Sequence, residues 1–320
     1  MEGRIRVGIS TCLLGEPVRY DGSHKLDRFL VHTLGEYVDY VPVCPEVECG
    51  LPVPRPSMRL VGNPAAPRLV TTRTGEDHTE RMEKWAKKRV LELEREVLCG
   101  FIFKSRSPSS GMAGVKIYDD NGMPSGKGSG LFARTFIEHF PLIPVEDEGR
   151  LQDPELRENF IERIFALKRW RELEADSPGG KAFRGRLVVF HTRHKLLILS
   201  HSPRHYSLLG RLTAGAAQLA PAEISTEYLR HFVEALGLRA TVKKHANVLH
   251  HAMGYFKKQL SVDEKQELLE IIGAYYRGFV PLIVPVTLLN HYVRKYKEPY
   301  LAGQHYLNPH PLELKLRNHA

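Results

Sequence analysis

The sequence lacks any apolar run long enough to cross a bilayer, and its first residues contain no apolar stretch of signal-peptide length. The longest apolar run, around 279–289, is interrupted by Pro281 and Pro285. Internal repeats and low-complexity tracts are absent too. With 42% apolar and 26% charged residues, the 320-residue chain has a globular composition. We therefore expect a cytoplasmic protein without a membrane segment, with two domains of ordinary size.

Cysteine is scarce as well, which argues against a disulfide framework. The four cysteines, Cys12, Cys44, Cys49 and Cys99, all lie in the first third of the sequence. Thiols of a cytosolic protein stay reduced, so metal binding, redox chemistry and simple burial are the competing roles. The clustering of these residues favours metal binding.

Positive charge is concentrated in one half of the chain. The formal charge is +9 overall, and residues 181–320 hold 20 Lys and Arg against 9 Asp and Glu, or +11, which leaves 26 against 28, or −2, for residues 1–180. The same basic half contains 12 of the 16 histidines. This asymmetry suggests a polyanionic partner, with nucleic acid the first candidate, although a solvated basic surface explains the charge equally well.

Strands and helices alternate in the first part of the chain. The predicted elements are strands at 4–10, 38–43 and 100–103 and helices at 25–37 and 79–98. This order is typical of an α/β domain with a parallel sheet, in which functional sites form at the carboxyl ends of the strands. We predict such a domain over residues 1–150.

The remainder is predicted to be mostly α-helical. Asp153 followed by Pro154 is typical of a helix start, and this helix is expected to run to about Glu174. With a linker at 175–185, it forms a connecting segment at 151–185, and a basic helical domain at 186–320 follows. The helices predicted beyond the linker lie near 203–217, 224–237, 241–260, 261–277 and 283–297.

Several candidate ligands are expected to meet at one end of the parallel sheet. Cys12, Cys44 and Cys49 follow strands, as does the loop KSRSPSSG. Cys99 precedes its strand and is expected at the opposite end. We predict an irregular loop at 45–56, which is rich in Pro and Gly. Thiols in such loops favour a soft metal or an iron–sulfur cluster, while a zinc site with an open position and simple burial are the alternatives.

Three motifs make the sequence resemble the thiouracil desulfidase family. They are ISTCLLG followed by VRYDG, then VCPEV followed by GLPVPR, then KSRSPSSG. The text from GRLQDPELRENFIERIFALKRW onward resembles the longer, two-domain members that remove sulfur from 4-thiouridine in tRNA. Together the resemblance covers nearly the whole chain.

The resemblance implies a 4Fe-4S cluster with three protein ligands and one iron left free to bind the substrate sulfur. Cys12 and Cys44 match two of the cysteine ligands. Glu46 and Ser107 match the residues used beside the cluster for proton transfer and substrate activation, roles that suit a carboxylate and a hydroxyl.

The chain departs from the family pattern at the third ligand. The family's third cysteine falls on Ser110, and serine is a poor substitute for a thiolate on iron. Our hypothesis is that Cys49 supplies the third ligand, because it lies in a loop at the same end of the sheet. Ser110 itself and Cys99 are the alternatives.

The function implied is a cytoplasmic, cluster-dependent and non-redox desulfidase. It would convert 4-thiouridine in tRNA to uridine with release of sulfide, and the basic helical domain would position the tRNA. Two alternatives are desulfuration of free thiouracil or thiouridine nucleotides and a noncatalytic iron–sulfur regulator that binds RNA.

Basic and aromatic side chains of the second half suit RNA contact. The helix predicted at 241–260 has a polar face with Lys244, His251, Tyr255 and Lys258, and a second basic cluster lies at 294–297. Histidine pairs at 191 and 194 and at 250 and 251 suit RNA contact better than metal binding, because no matching acid or cysteine set accompanies them.

Overall fold

The computed structural model describes residues 4–119, 121–176 and 181–318. The chain forms two compact units, Met1–Leu156 and Arg157–Ala320. The first unit contains a parallel sheet with helices and the second is mostly helical, so the predicted fold class is confirmed. Among the described helices, none combines the length and apolar character needed to span a membrane.

Strands of the first unit form two four-stranded sheets. The described strands are β1 (Ile5–Ser10), β2 (Val38–Val43), β3 (Met58–Val61), β4 (Arg68–Thr71), β5 (Gly100–Phe103), β6 (Val115–Tyr118), β7 (Pro124–Gly128) and β8 (Val145–Asp147). The first sheet has the order β2-β1-β5-β8 and is entirely parallel, as the sequence predicted. The second has the order β4-β3-β6-β7, with one parallel and two antiparallel pairings.

The helices of the first unit are α1 (Arg28–His32), α2 (Pro45–Glu48), α3 (Thr79–Glu94) and α4 (Leu131–His139). Aromatic side chains of β5 and α4 fill the core, and the rings of Phe101 and Phe103 stack with centroids 4.3 Å apart. Gly8 permits this packing, since a Cβ there would lie 2.2 Å from the Phe101 ring. The three predicted strands are confirmed as β1, β2 and β5, whose apolar side chains are mostly buried.

Three predictions for the first unit were incomplete or wrong. The second sheet was missed because its strands span only four or five residues, too few for a clear alternating pattern. The helix predicted at 79–98 ends at Glu94, and Val97 has a positive φ of 50°. The segment 45–56 was predicted as a loop, yet it begins with α2. Pro45 occupies the first helical turn, where its missing N–H costs nothing, and Gly50 follows with φ 88°.

The second unit consists of α5 (Pro154–Asp176), α6 (Lys181–His201), α7 (Pro203–Ala214), α8 (Pro221–Gly237), α9 (Val242–Gly254), α10 (Val262–Tyr276), α11 (Ile283–Lys295) and α12 (Pro299–Ala302). The five helices predicted after the linker correspond to α7–α11, although α9 ends at Gly254 rather than at 260. Asp153 caps α5, as expected, by accepting hydrogen bonds from the N–H groups of Glu155 and Leu156.

The segment between the two predicted domains is more helical than expected. The boundary between the compact units falls between Leu156 and Arg157, so nearly all of α5 belongs to the helical unit. The linker expected at 175–185 overlaps the end of α5 and the start of α6, and residues 177–180 lie outside the described residues. Trp170 of α5 is fully buried and stacks on Tyr228.

Candidate active site

A cavity of about 320 Å³ opens at the carboxyl ends of β1, β2 and β5. Because β1 and β2 pair in parallel and in register, the residues that follow them emerge side by side. Cys12 and Cys44 both line the cavity, and Glu46 lies beside them on the first turn of α2. The loop after β5 adds Ser107 and Ser110 to the lining.

A chain of hydrogen bonds joins Glu46 to the serine-rich loop. Ser109 Oγ donates to Glu46 Oε1 at 2.5 Å, and the hydroxyls of Ser109 and Ser107 are 3.0 Å apart. Ser107 Oγ also accepts from the backbone N–H groups of Ser109 and Ser110. Our sequence analysis missed Ser109, although the run of serines in this loop was a visible signal. The arrangement is a relay through which a proton can move between a carboxylate and two hydroxyls.

Charged side chains surround this relay. Arg55, whose side chain is only 5% exposed, approaches Glu46 Oε2 with Nη2 at 3.8 Å. The same Nη2 donates to Val18 O at 3.0 Å, which fixes the guanidinium in place. Arg55 therefore supplies a fixed positive charge beside the carboxylate. Toward the mouth, the lining is also cationic, with Arg19, Lys25 and Arg106.

The two thiols of the cavity are buried and are not activated nucleophiles. Burial raises the pKa of Cys12 to about 11, although the charge of Lys104 acts in the opposite direction. Burial, reinforced by the charge of Glu46, raises the pKa of Cys44 to about 12. Both thiols are therefore protonated at neutral pH, which disfavours a reaction through a free thiolate. A soft metal would displace these protons and bind both sulfurs.

Cys49, our hypothesis for the third ligand, does not line the cavity, so its role as a ligand stays a prediction. Its Sγ lies 3.2 Å from the carbonyl oxygen of Glu46, and its side chain packs against the apolar cluster that contains Leu60 and Met82. Cys99, buried at the opposite end of β5, does not line the cavity either. Of the three alternatives, only Ser110 is part of the cavity lining. The geometry therefore favours Ser110 as the third ligand.

Two of the lysines predicted to contact RNA are already engaged in the fold of the helical unit. Lys244 Nζ donates to the carbonyl oxygens of His201 and Arg239 at 2.6 and 2.7 Å. Lys295 forms an ion pair with Glu264. Tyr255 is exposed and stacks on Tyr300 with centroids 4.7 Å apart, so it remains a surface aromatic residue.

The prediction that His191 and His194 contact RNA is wrong, because both side chains are buried. Nδ1 of His191 lies 3.0 Å from the hydroxyl of Tyr228, and burial lowers the pKa of His191 to about 4. His194 Nδ1 lies 2.7 Å from the carbonyl oxygen of Phe190. These imidazoles belong to the helical core. His250 and His251 are exposed, as RNA contact would require.

The chain resembles known proteins in both units. Residues 7–148 match the family described as 2-thiouracil desulfurase, and residues 195–311 match the family of unknown function DUF1722. The uncharacterized protein YbgA of Escherichia coli (strain K12) is 34% identical over 157 residues, which span 49% of this chain and 90% of YbgA. The uncharacterized protein YbbK of Bacillus subtilis (strain 168) is 32% identical over 133 residues, or 39% of this chain and 85% of YbbK.

A solved structure of the 4Fe-4S-dependent thiouracil desulfidase TudS is 31% identical in sequence, with a TM-score of 0.38, over 47% of this chain and 95% of that one. The motifs and the cavity of the first unit coincide with the range matched by the desulfurase family. The chain belongs to the 2-thiouracil desulfurase family, an enzyme family, through its α/β unit, to which a DUF1722 segment is joined in the helical unit.

Proposed function

We propose that the protein is an iron–sulfur-dependent desulfidase that converts 4-thiouridine in tRNA to uridine. The observation that carries this proposal is the cavity in which two buried thiols, the Glu46 carboxylate and the serine-rich loop meet, inside a desulfurase-family unit. The net reaction adds water to a C=S carbon and releases hydrogen sulfide. No electrons are gained or lost, so no redox partner is required.

The residues of the cavity fit a cluster held by two thiolates and one oxygen. Cys12 and Cys44 supply the sulfurs, and we assign the third position to Ser110 because it lines the same cavity. Cys49 would first have to leave its apolar packing. When bound, such a cluster supplies an iron without a protein ligand, a Lewis acid suited to a thiocarbonyl sulfur.

The remaining chemistry belongs to side chains of this protein. Glu46 accepts a proton from the water that adds to the ring carbon, with Arg55 at 3.8 Å compensating its negative charge. The hydroxyls of Ser109 and Ser107, which are 3.0 Å apart, carry a proton toward the departing sulfur. The low exposure of Glu46 and Arg55 strengthens the electrostatic interaction between them.

The size and charge of the site support a nucleotide within RNA as the substrate. A cavity of about 320 Å³ accommodates a single extruded nucleotide but not a duplex. Its cationic mouth suits the phosphates on either side of that nucleotide. The net charge of +11 on residues 181–320 adds attraction for RNA.

Anaerobic reconstitution followed by nucleoside analysis tests the proposal. We expect thiolated tRNA to lose 4-thiouridine, gain uridine and release one equivalent of sulfide. Faster turnover of free 4-thiouridine monophosphate than of tRNA would instead identify a nucleotide desulfidase. Bound tRNA with intact 4-thiouridine would indicate a noncatalytic regulator.

The ligand assignment is tested by iron and sulfide content after reconstitution. We expect Cys44→Ser to lose the cluster and Cys49→Ser to retain it. Ser110→Cys should retain more iron than the wild type during incubation with a chelator, since a thiolate binds iron more tightly than a hydroxyl. Loss of the cluster in Cys49→Ser would restore Cys49 as the third ligand.

A further inference from the structure

A second groove, of about 1000 Å³, adjoins the active-site cavity within the first unit. The two share a wall formed by Met58, Lys104, Ser105, Arg106 and Pro108. We infer that this groove binds the single-stranded sugar–phosphate backbone next to the target nucleotide. RNA is then held by the desulfurase unit itself, beside the reacting base. The inference rests on the proposed function and locates where its substrate strand runs.

The charge of the groove suits a polyanion. Its lining contains six cations and one acid among the described residues: Arg59, Lys104, Arg106, Lys116, Lys127 and Arg150, with Asp147. Lys104 pairs with Glu148, and Arg150 Nε lies 2.6 Å from Glu146 Oε1, so two of these charges are compensated. The other four cations have no carboxylate partner within the described part of the chain.

Two of the uncompensated cations face each other across a strand pair. Lys116 of β6 lies opposite Lys127 of β7 in the antiparallel register, and both are exposed. Like charges directly opposite each other destabilise a sheet. A bound phosphate strand would remove this repulsion, whereas solvent only weakens it.

An aromatic residue completes the groove. The guanidinium of Arg59 lies 5.4 Å from the centre of the Tyr118 ring, and both residues line the groove. Arg59 Nε is buried and has no hydrogen-bond partner among the described residues. Cations beside an aromatic ring are typical of single-stranded nucleic-acid sites, where bases stack and phosphates pair with the charges.

Continuity with the cavity selects RNA over other polyanions. A nucleotide that enters the cavity brings its neighbours along the strand, and the shared wall directs one side of that strand into the groove. Cations of the helical unit such as Lys244 and Lys295 are engaged by backbone carbonyls and by Glu264. The groove, by contrast, keeps four cations without a carboxylate partner among the described residues, beside the cavity that takes the base.

The test compares RNA binding by variants of the full-length protein. A fluorescein-labelled oligouridylate of eight nucleotides is titrated by anisotropy at several NaCl concentrations. We expect Lys116→Glu/Lys127→Glu to bind about tenfold more weakly, with a log–log salt slope smaller by about 1.4, since each lost contact with single-stranded phosphate removes about 0.7. Lys84→Glu/Lys87→Glu, the same charge change at two exposed positions of α3, should bind as the wild type does.

A neutral variant separates binding from folding. Lys116→Gln/Lys127→Gln removes the cross-strand repulsion, so it should be at least as stable as the wild type and yet bind RNA more weakly. Unchanged affinity and salt slope in both double variants would overturn the inference.

Activity assays keep the inference distinct from the proposed function. We expect the groove variants to raise KM for thiolated RNA and to leave turnover of free 4-thiouridine monophosphate unchanged. If the wild type releases no sulfide and the groove variants bind RNA more weakly than it does, the proposed function is overturned and the groove is supported. If the wild type is active and the groove variants bind RNA as tightly as it does, only the inference about the groove is overturned.

Discussion

Both units bury ionisable side chains, but they do so in different settings. In the α/β unit, Cys12, Cys44 and Glu46 line an open cavity, and the hydroxyls around Glu46 can donate or accept. In the helical unit, Glu162 is enclosed by His201 Nε2 at 2.6 Å and by Arg317 Nη2 at 3.2 Å. Burial beside a cavity leaves groups available for chemistry, whereas burial with every charge paired holds a core together.

The network around Glu162 is satisfied on all sides. Arg317 also contacts Glu158 at 3.0 Å and donates to the carbonyl oxygen of Tyr306 at 2.6 Å. Burial alone would raise the pKa of Glu162, but its hydrogen bond to His201 and the charges of His201 and Arg317 lower it to about 2. The carboxylate is therefore ionised at neutral pH and serves the fold.

The largest effect is expected at Glu46. Glu46→Gln should lower sulfide release by about 10²- to 10⁴-fold, because an amide cannot accept the proton of the attacking water. The free energy of unfolding should change little, since the amide keeps the shape of the side chain. Glu76→Gln, an exposed position in the same unit, is the matched control. Activity within twofold of the wild type would place Glu46 among the purely structural carboxylates.

A comparable loss, in stability rather than activity, is expected from the helical unit. Arg317→Met leaves Glu162 buried without its guanidinium partner and should lower the free energy of unfolding by about 3–5 kcal/mol. Arg230→Met removes exposed ion pairs with Glu227 and Glu234, which solvent screens, and should change the free energy of unfolding far less. Chemical denaturation of the full-length protein measures both. Equal losses in the free energy of unfolding of the two variants would show that enclosed and exposed ion pairs contribute equally to stability.

A smaller effect per residue is expected from the protonation of buried histidines. Burial lowers the pKa of His191 and His310 to about 4 and that of His245 to about 3. These histidines stay neutral when folded, so below about pH 6.5 the unfolded chain binds more protons. The contribution of these neutral histidines to the stability of the fold is fully present above about pH 6.5. It is lost as pH falls toward 4, by at most about 1.4 kcal/mol per pH unit for each histidine.

Thermal unfolding between pH 7.5 and 4.5 measures this loss. The melting temperature should fall with decreasing pH, and His310→Gln should flatten that dependence. The stability that the Glu162 carboxylate contributes is lost only as pH falls from about 4.5 toward 2, so it changes little in this range. An identical pH dependence in His310→Gln would show that His310 is not protonated on unfolding.

Local patterns predicted the parts of the fold that local interactions control. The strands that precede Cys12 and Cys44 are short apolar runs, and their parallel pairing follows from the helix between them. The second sheet was missed because its strands depend on pairing partners distant in sequence, as β3 with β6. The groove lined by Lys116 and Lys127 was missed with it, since only the strand register sets these lysines opposite each other.

The sequence by itself determined the α/β and helical halves, the family motifs, and two thiols at adjacent strand ends. Only the tertiary structure decided where the candidates for a third ligand lie. Cys44 and Cys49 are five residues apart, which on a helix separates them by roughly 140° around the axis. Because α2 forms where a loop was predicted, Cys49 packs against the apolar cluster, whereas Ser110, distant in sequence, lines the cavity together with the two thiols.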